Sequence, residues 1–208
     1  MLQRFQGFLL LLLTCLLINI SVHFNAKGEE QSKLLKDWTP TGLLQQEFII
    51  EGEGSTSPHF LMRRARLGAK GDLTENAGVN FIGGLMEGAD NEPALVNGYM
   101  DYHFSPALIV RAGKFLVPFG QDGPTAIAQN PAIERSHTSR QLNSYPLFRS
   151  VGVKLKGSTD NMGYSLALLN KAGSITDPEV SDVAGRFYVS LLDQLEIGIS
   201  GNYGKDDL

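Results

Sequence analysis

The feature that most constrains this chain is an alternation of apolar and polar residues with period two, recurring in runs of roughly ten residues separated by Gly, Pro, Asn, Asp and Ser. Successive side chains of a β-strand point to opposite faces, so each run makes a strand with one apolar and one polar face. Between Met62 and Leu73, Arg64, Arg66, Gly68, Lys70 and Asp72 share one face, and Ala65, Leu67, Ala69, Gly71 and Leu73 share the other. Ala94 to Phe104 sets Val96, Met100, Tyr102 and Phe104 against Asn97, Tyr99, Asp101 and His103. Arg149 to Gly157 sets Val151, Val153 and Leu155 against Lys154 and Lys156. Leu195 to Tyr203 sets Leu195, Ile197, Ile199 and Tyr203 against Glu196, Ser200 and Asn202. Less regular runs at 43–53, 78–87, 107–117, 162–171 and 183–192 bring the total to about nine strands. No segment longer than ten residues carries a helical repeat, so the chain is expected to be all-β.

Two all-β architectures compete. A soluble sandwich buries its apolar face against a second sheet and uses strands of about 5–6 residues, whereas strands crossing an outer membrane need about 9–11. The runs here are of the longer kind. Connection lengths add an independent test, because membrane barrels have short turns at one end and longer loops at the other. Long connections at 54–59, 88–93, 118–148 and 172–182 alternate with short ones at 74–77, 105–106, 158–161 and 193–194, the first long one being modest. A sandwich has no reason to sort its connections in this way. The expectation is an antiparallel transmembrane β-barrel over 43–208, entered through a polar leader at 27–42, with a secreted soluble β-sandwich binding module as the alternative. A mean hydropathy of -0.08 suits a wall in which only alternate residues meet lipid. Phe60, Phe104 and Tyr203, near strand ends, are candidates for interfacial aromatic girdles.

Residues 1–26 carry Arg4, an apolar run from Phe8 to Ile18 with Thr14 its one polar residue, and the small residue Ala26, the pattern of a cleaved secretory signal peptide. An anchor helix would need a longer span, and lipidation at Cys15 a smaller residue than Thr14 before it. Cleavage near Ala26 removes the only cysteine, which suits passage through an oxidising compartment. It also removes Arg4 and no acidic group, leaving 17 basic against 22 acidic side chains, so a nucleic-acid partner is not expected.

With the apolar faces toward lipid, the lumen of this acidic protein becomes basic. It receives Arg64, Arg66, Lys70, Arg111, Lys154, Lys156 and Arg186 against Asp72, Asp101 and Glu196. Rows of Lys and Arg lower the barrier to anions and raise it to cations, and arginine adds a planar fork for phosphate or carboxylate. The long connection from Pro118 to Phe148 contains Pro and Gly motifs that forbid regular pairing, and Glu134, Arg135, His137 and Arg140 gather near its end, beside Arg149. Folded inward it narrows the lumen and brings Arg135 and Arg140 to the strand cations; folded outward it caps the barrel.

The segments Arg64-Ala-Arg66-Leu-Gly-Ala-Lys70-Gly-Asp-Leu, Gly98-Tyr-Met-Asp101-Tyr-His-Phe-Ser-Pro-Ala, Arg111-Ala-Gly-Lys114-Phe-Leu-Val-Pro118-Phe-Gly120, Ile133-Glu134-Arg135-Ser136 and Arg149-Ser-Val-Gly152-Val resemble, in order, the phosphate-selective porins of the O and P type. The resemblance implies a trimeric outer-membrane barrel of about sixteen strands whose third loop enters the channel and whose lumenal Arg and Lys pass phosphate-like anions. By that analogy Arg64, Arg66, Lys70, Arg135, Arg149 and Lys154 are the anion-binding candidates, to which the face pattern adds Arg111 and Lys156. The implied partners are outer-membrane lipid and small anions such as phosphate or polyphosphate. The chain stops at Leu208 after about nine strands and without an aromatic-ended final strand, so a longer gene is expected. Gly-x-Ser-x-Gly, His-x-x-x-His, Walker and Gly-x-Gly-x-x-Gly motifs are missing, so no enzyme, cofactor or metal site is read.

Overall fold

The computed structural model describes residues 18–20, 36–49, 58–87, 92–130, 134–142, 145–171, 180–192 and 195–204. They form one antiparallel sheet whose strands follow in chain order: β1 (Ile18–Ile20), β2 (Lys36–Ile49), β3 (His59–Asp72), β4 (Ala77–Glu87), β5 (Glu92–Ser105), β6 (Leu108–Leu116), β7 (Arg149–Ser158), β8 (Met162–Asn170), β9 (Val180–Leu192) and β10 (Leu195–Tyr203). Apart from β1, the strands run from 9 to 14 residues, the length of membrane-crossing strands rather than sandwich strands. Among the described residues the sheet is not closed, since β10 pairs with β9 alone. The sandwich alternative requires a second sheet against the apolar face, and the described residues make only one.

β2 starts at Lys36, within the stretch read as a leader, rather than at the expected residue 43. Pro40 hides this extension, because a residue without an N–H reads as a strand breaker. It is tolerated here because β1 pairs only with Leu44, Gln45 and Gln46, so among the described residues Pro40 faces no partner on that side. β1 itself falls inside the segment read as a signal peptide; the rest of that segment lies outside the described residues.

Residues directly opposite in an antiparallel pair share a face, so the register assigns every side chain. Arg66 opposes Leu43 and Gly84, Lys70 opposes Asn80, Asp101 opposes Arg111, and Arg111 opposes Lys154. Lys156 opposes Ser165, which opposes Arg186, which opposes Ser200. One polar face therefore carries all of these groups. The other face presents Leu67 at 63% exposure, Phe104 at 63%, Leu168 at 54% and Ile199 at 73%, a continuous apolar surface of the kind that lipid covers. Phe60, near the start of β3 after a long connection, and Tyr203, the last residue of β10, are 70% and 78% exposed on this face. Val96 departs from the expected pattern. It is the extra residue of a bulge between β4 and β5 and is fully buried.

Close strand approach at one point depends on glycine. Gly113 in β6 has φ 123, a conformation other residues resist, and a Cβ there would strike the carbonyl of Gly98 in β5. The core lies on the polar side, where the connection 117–148 folds back over the sheet. Val117 and Tyr145 from this connection pack with Phe115 of β6, Ala167 and Leu169 of β8 and Ala184 of β9. Each such large side chain contributes about 1.5–3 kcal/mol by leaving water.

Candidate functional site

The connection from 117 to 148 contains a 3-10 turn at Ile127–Gln129, a short helix α1 (His137–Leu142) and a second 3-10 turn at Pro146–Phe148. A closed stem and three tethers to the sheet hold it inward. The amide of Val117 donates to the Phe148 carbonyl at 2.9 Å and closes the stem. The Gly120 amide donates to Ser200 Oγ of β10 at 2.9 Å, and Tyr145 Oη donates to Asp182 Oδ2 of β9 at 2.8 Å. Glu134 accepts from Arg63 and Arg64 of β3 at 2.5 and 2.9 Å. Of the two directions open to the loop, the inward one is found.

Its arrival builds an upper tier of cations. Arg64, Arg66, Arg135 and Arg149 line one cavity of about 180 Å³ with Glu134, Phe148 and the loop residues Ile127 and Leu147. Each guanidinium is held differently. Arg64 donates to Gln45 Oε1 at 2.9 Å as well as to Glu134. Arg66 forms two parallel hydrogen bonds to Glu87, and Gly84 leaves the space that the Glu87 side chain fills. Arg149 donates from Nε to Asn97 Oδ1 at 2.8 Å and from Nη1 to the Leu147 carbonyl at 2.6 Å. Arg135 donates from Nη2 to the Thr125 carbonyl at 2.6 Å and lies 4.5 Å above the Phe148 ring. Its Nη1 is buried and has no hydrogen-bond partner among the described residues.

The return of the loop into β7 is strained, and the strain places two of these contacts. Leu147 and Phe148 both occupy the left-handed region, at φ 54 and 60, which non-glycine residues rarely adopt. That geometry turns the Leu147 carbonyl toward Arg149 and the Phe148 ring beneath Arg135.

Four guanidiniums line the cavity against the single lining carboxylate of Glu134, with Glu87 paired to Arg66, so the tier carries a net positive charge. Burial, relieved by Asp122 but reinforced by the charges of Arg64 and Arg66, pulls the Arg135 guanidinium below its ordinary value. Burial would raise the Glu134 carboxyl, but the bond from Arg63 and the pairing with Arg64 outweigh it and hold the group below the usual carboxylate range. The cavity has room for a small hydrated oxyanion, since each water occupies about 30 Å³ of liquid volume.

A lower tier lies toward the short turns. Arg111 grips Asp101 through Nε and Nη2, both at 2.6 Å, and stacks 3.6 Å above the Tyr99 ring. Lys156 reaches the same carboxylate at 3.4 Å, and Lys154 donates to the Leu116 carbonyl at 3.0 Å above the Phe115 ring. Lys70 lines a separate cavity of about 380 Å³ with Asn80, Tyr99, Asp101 and His103. The sequence-derived candidates thus divide: Arg64, Arg66, Arg135 and Arg149 share the upper cavity, while Lys70, Arg111, Lys154 and Lys156 do not reach it. Arg140 is exposed on α1 and does not join the strand cations as the inward loop led one to expect. Arg63, Glu87, Asn97 and Tyr99 were not singled out. Strict alternation puts Arg63 on the apolar face beside Ala65, but a bulge between Gln45 and Gln46 turns it to Glu47 and Glu134 on the polar face. An arginine predicted to face lipid was the signal of that bulge.

A family model described as phosphate-selective porin O and P matches residues 46–204. The chain belongs to that family. No curated protein and no solved structure matches the chain closely enough to count as similar. The porin match begins inside β2 and ends just past β10, so it takes in β3 to β10, the inward loop and the cations of both tiers. This porin family is a family of channels and not of enzymes.

Proposed function

We propose that this chain forms part of the wall of an outer-membrane channel through which small anions, phosphate and polyphosphate among them, diffuse along the polar face and past the upper cavity. The observation that carries this reading is the convergence of Arg64, Arg66, Arg135 and Arg149 on one cavity, with one buried Arg135 donor left unpaired. Buried polar groups are nearly always satisfied, so an unsatisfied guanidinium nitrogen in a cationic cavity favours an oxyanion acceptor. The lower tier, where Arg111 and Lys156 hold Asp101 and Lys154 lies opposite Arg111, extends the positive path toward the short turns. The apolar face supplies the lipid contact, the export signal the route to the membrane, and the homotrimer implied by the family resemblance the assembly.

The test is the reversal potential of the full-length protein in planar bilayers under a potassium chloride gradient. The unmodified protein is expected to prefer chloride over potassium, and Arg64→Glu with Arg135→Glu to abolish or reverse that preference. An unchanged reversal potential removes these two residues from the pathway. Cation preference in the unmodified protein overturns the anion reading.

A further inference from the structure

Glu134 is the only carboxylate among the described residues lining the upper cavity, and the loop carries it there rather than the sheet. One of its oxygens takes hydrogen bonds from Arg63 at 2.5 Å and Arg64 at 2.9 Å, both from the bulged part of β3. Its side chain is 31% exposed, so it is not locked away as Glu87 is at 2%. Arg135, the next residue, is 6% exposed, lines the same cavity and keeps an unpartnered Nη1. The cavity therefore contains a carboxylate that satisfies two arginines and, beside it, a buried donor that the carboxylate does not satisfy.

The geometry points to Glu134 as a tethered counter-ion that a permeating oxyanion must displace, and hence as the residue that sets discrimination between multivalent oxyanions and halide. This inference rests on the anion-channel reading above. A tetrahedral dianion carries more charge and more acceptor oxygens than one carboxylate, so it can serve Arg64 and the free donor of Arg135 together. Chloride carries a single charge and offers no bidentate geometry to a guanidinium fork, so it competes poorly with the resident carboxylate. Arg66 and Arg149 do not enter this exchange in the same way, because neither leans on Glu134: Glu87 accepts from two nitrogens of Arg66, and Asn97 and the Leu147 carbonyl accept from two of Arg149. The outcome is a filter made by competition: an anion crosses well when it outbids a glutamate.

A purely mechanical role makes the opposite prediction. If Glu134 only straps the loop to β3, its loss loosens the cavity and weakens anion binding. If it competes with the anion, its loss strengthens binding. The experiment is single-channel recording of the full-length protein and Glu134→Gln in chloride, with inorganic phosphate added as blocker. The expected result is a half-blocking phosphate concentration lowered about tenfold, the weight of roughly one charge-assisted hydrogen bond, together with a larger chloride conductance before phosphate is added. Glu134→Asp keeps the charge but shortens the reach, and is expected to fall between the two; it serves if the glutamine variant gives no channels. Phosphate block that weakens or stays unchanged in both variants overturns the counter-ion role while leaving the anion pathway standing. Absence of any phosphate block in the unmodified protein overturns both.

Discussion

Arg66 and Glu87 meet across β3 and β4 through two parallel hydrogen bonds, with only 8% and 2% of their side chains exposed. Removing one partner of such a pair leaves a buried charge uncompensated, whereas replacing both with apolar groups of similar volume is often neutral. Glu87→Gln is expected to cost about 3–5 kcal/mol, and the double replacement Arg66→Met with Glu87→Leu to recover most of that. Denaturant unfolding of the detergent-solubilised protein measures both. Equal losses in the single and double variants would show that the pair's charges are not the stabilising feature. The same geometry predicts that Arg66 governs anion preference less than Arg64 does.

The left-handed pair Leu147 and Phe148 gives a second prediction. A β-branched residue tolerates that region worst and asparagine best among side chains of moderate size. Leu147→Val is expected to lower stability by about 1–2 kcal/mol and to displace the carbonyl that Arg149 uses, while Leu147→Asn retains that contact. Thermal unfolding orders the variants; a stable valine variant would mean the strain is absent in solution.

Acid should release the loop. The Glu134 carboxyl is held below its ordinary value of 4.5 by Arg63 and Arg64 against the pull of burial. Asp122 is likewise held below its ordinary 3.8, first by the Ser136 hydroxyl and then, against burial, by Ser139. A group whose folded value is depressed stabilises the fold fully above its unfolded value and loses that contribution as the pH falls through the folded one. Loop anchoring is therefore complete at neutral pH, begins to weaken near pH 4.5 and is lost below it. Limited proteolysis or hydrogen exchange confined to residues 117–148 should show this opening while the sheet stays protected. In Glu134→Gln the remaining acid response should shift to the lower range set by Asp122.

Asp101 offers a fourth check, because it offsets part of the charge of Arg111 and Lys156. Asp101→Asn is expected to make the lower tier more positive and to raise chloride-over-potassium selectivity most at low salt, where charges act over a Debye length of about 30 Å. Selectivity unaffected at 10 mM salt would place the tier outside the conduction path.

Much of this molecule was legible because period two is a geometric rule, not a propensity. Once Arg64, Arg66 and Lys70 alternate with Ala65, Leu67 and Ala69, the pleat assigns their faces, and the sorting of long and short connections assigns the ends. The same rule failed wherever the ladder carries an extra residue. Arg63 and Val96 sit at such bulges, and one inserted residue reverses the face of everything beyond it. Pairings across the sheet were invisible for a different reason. Nothing local connects Arg66 to Glu87 or Arg149 to Asn97; only the register brings them together. The course of the long loop was equally hidden, since it depends on Ser200 and Asp182, far along the chain from the segment they hold.

Those two tethers bear on the order of assembly. Tyr145 and Asp182 are 37 positions apart, and Gly120 and Ser200 are 80 apart. Contacts of such separation form late, after nearer strands have paired and shortened the effective chain between them. In a sheet that grows strand by strand, β3 to β7 would already display their arginines before β9 and β10 offer the loop a resting place. The loop-lined cavity is then the last element to acquire its shape, and until it does the polar face of the sheet lies uncovered.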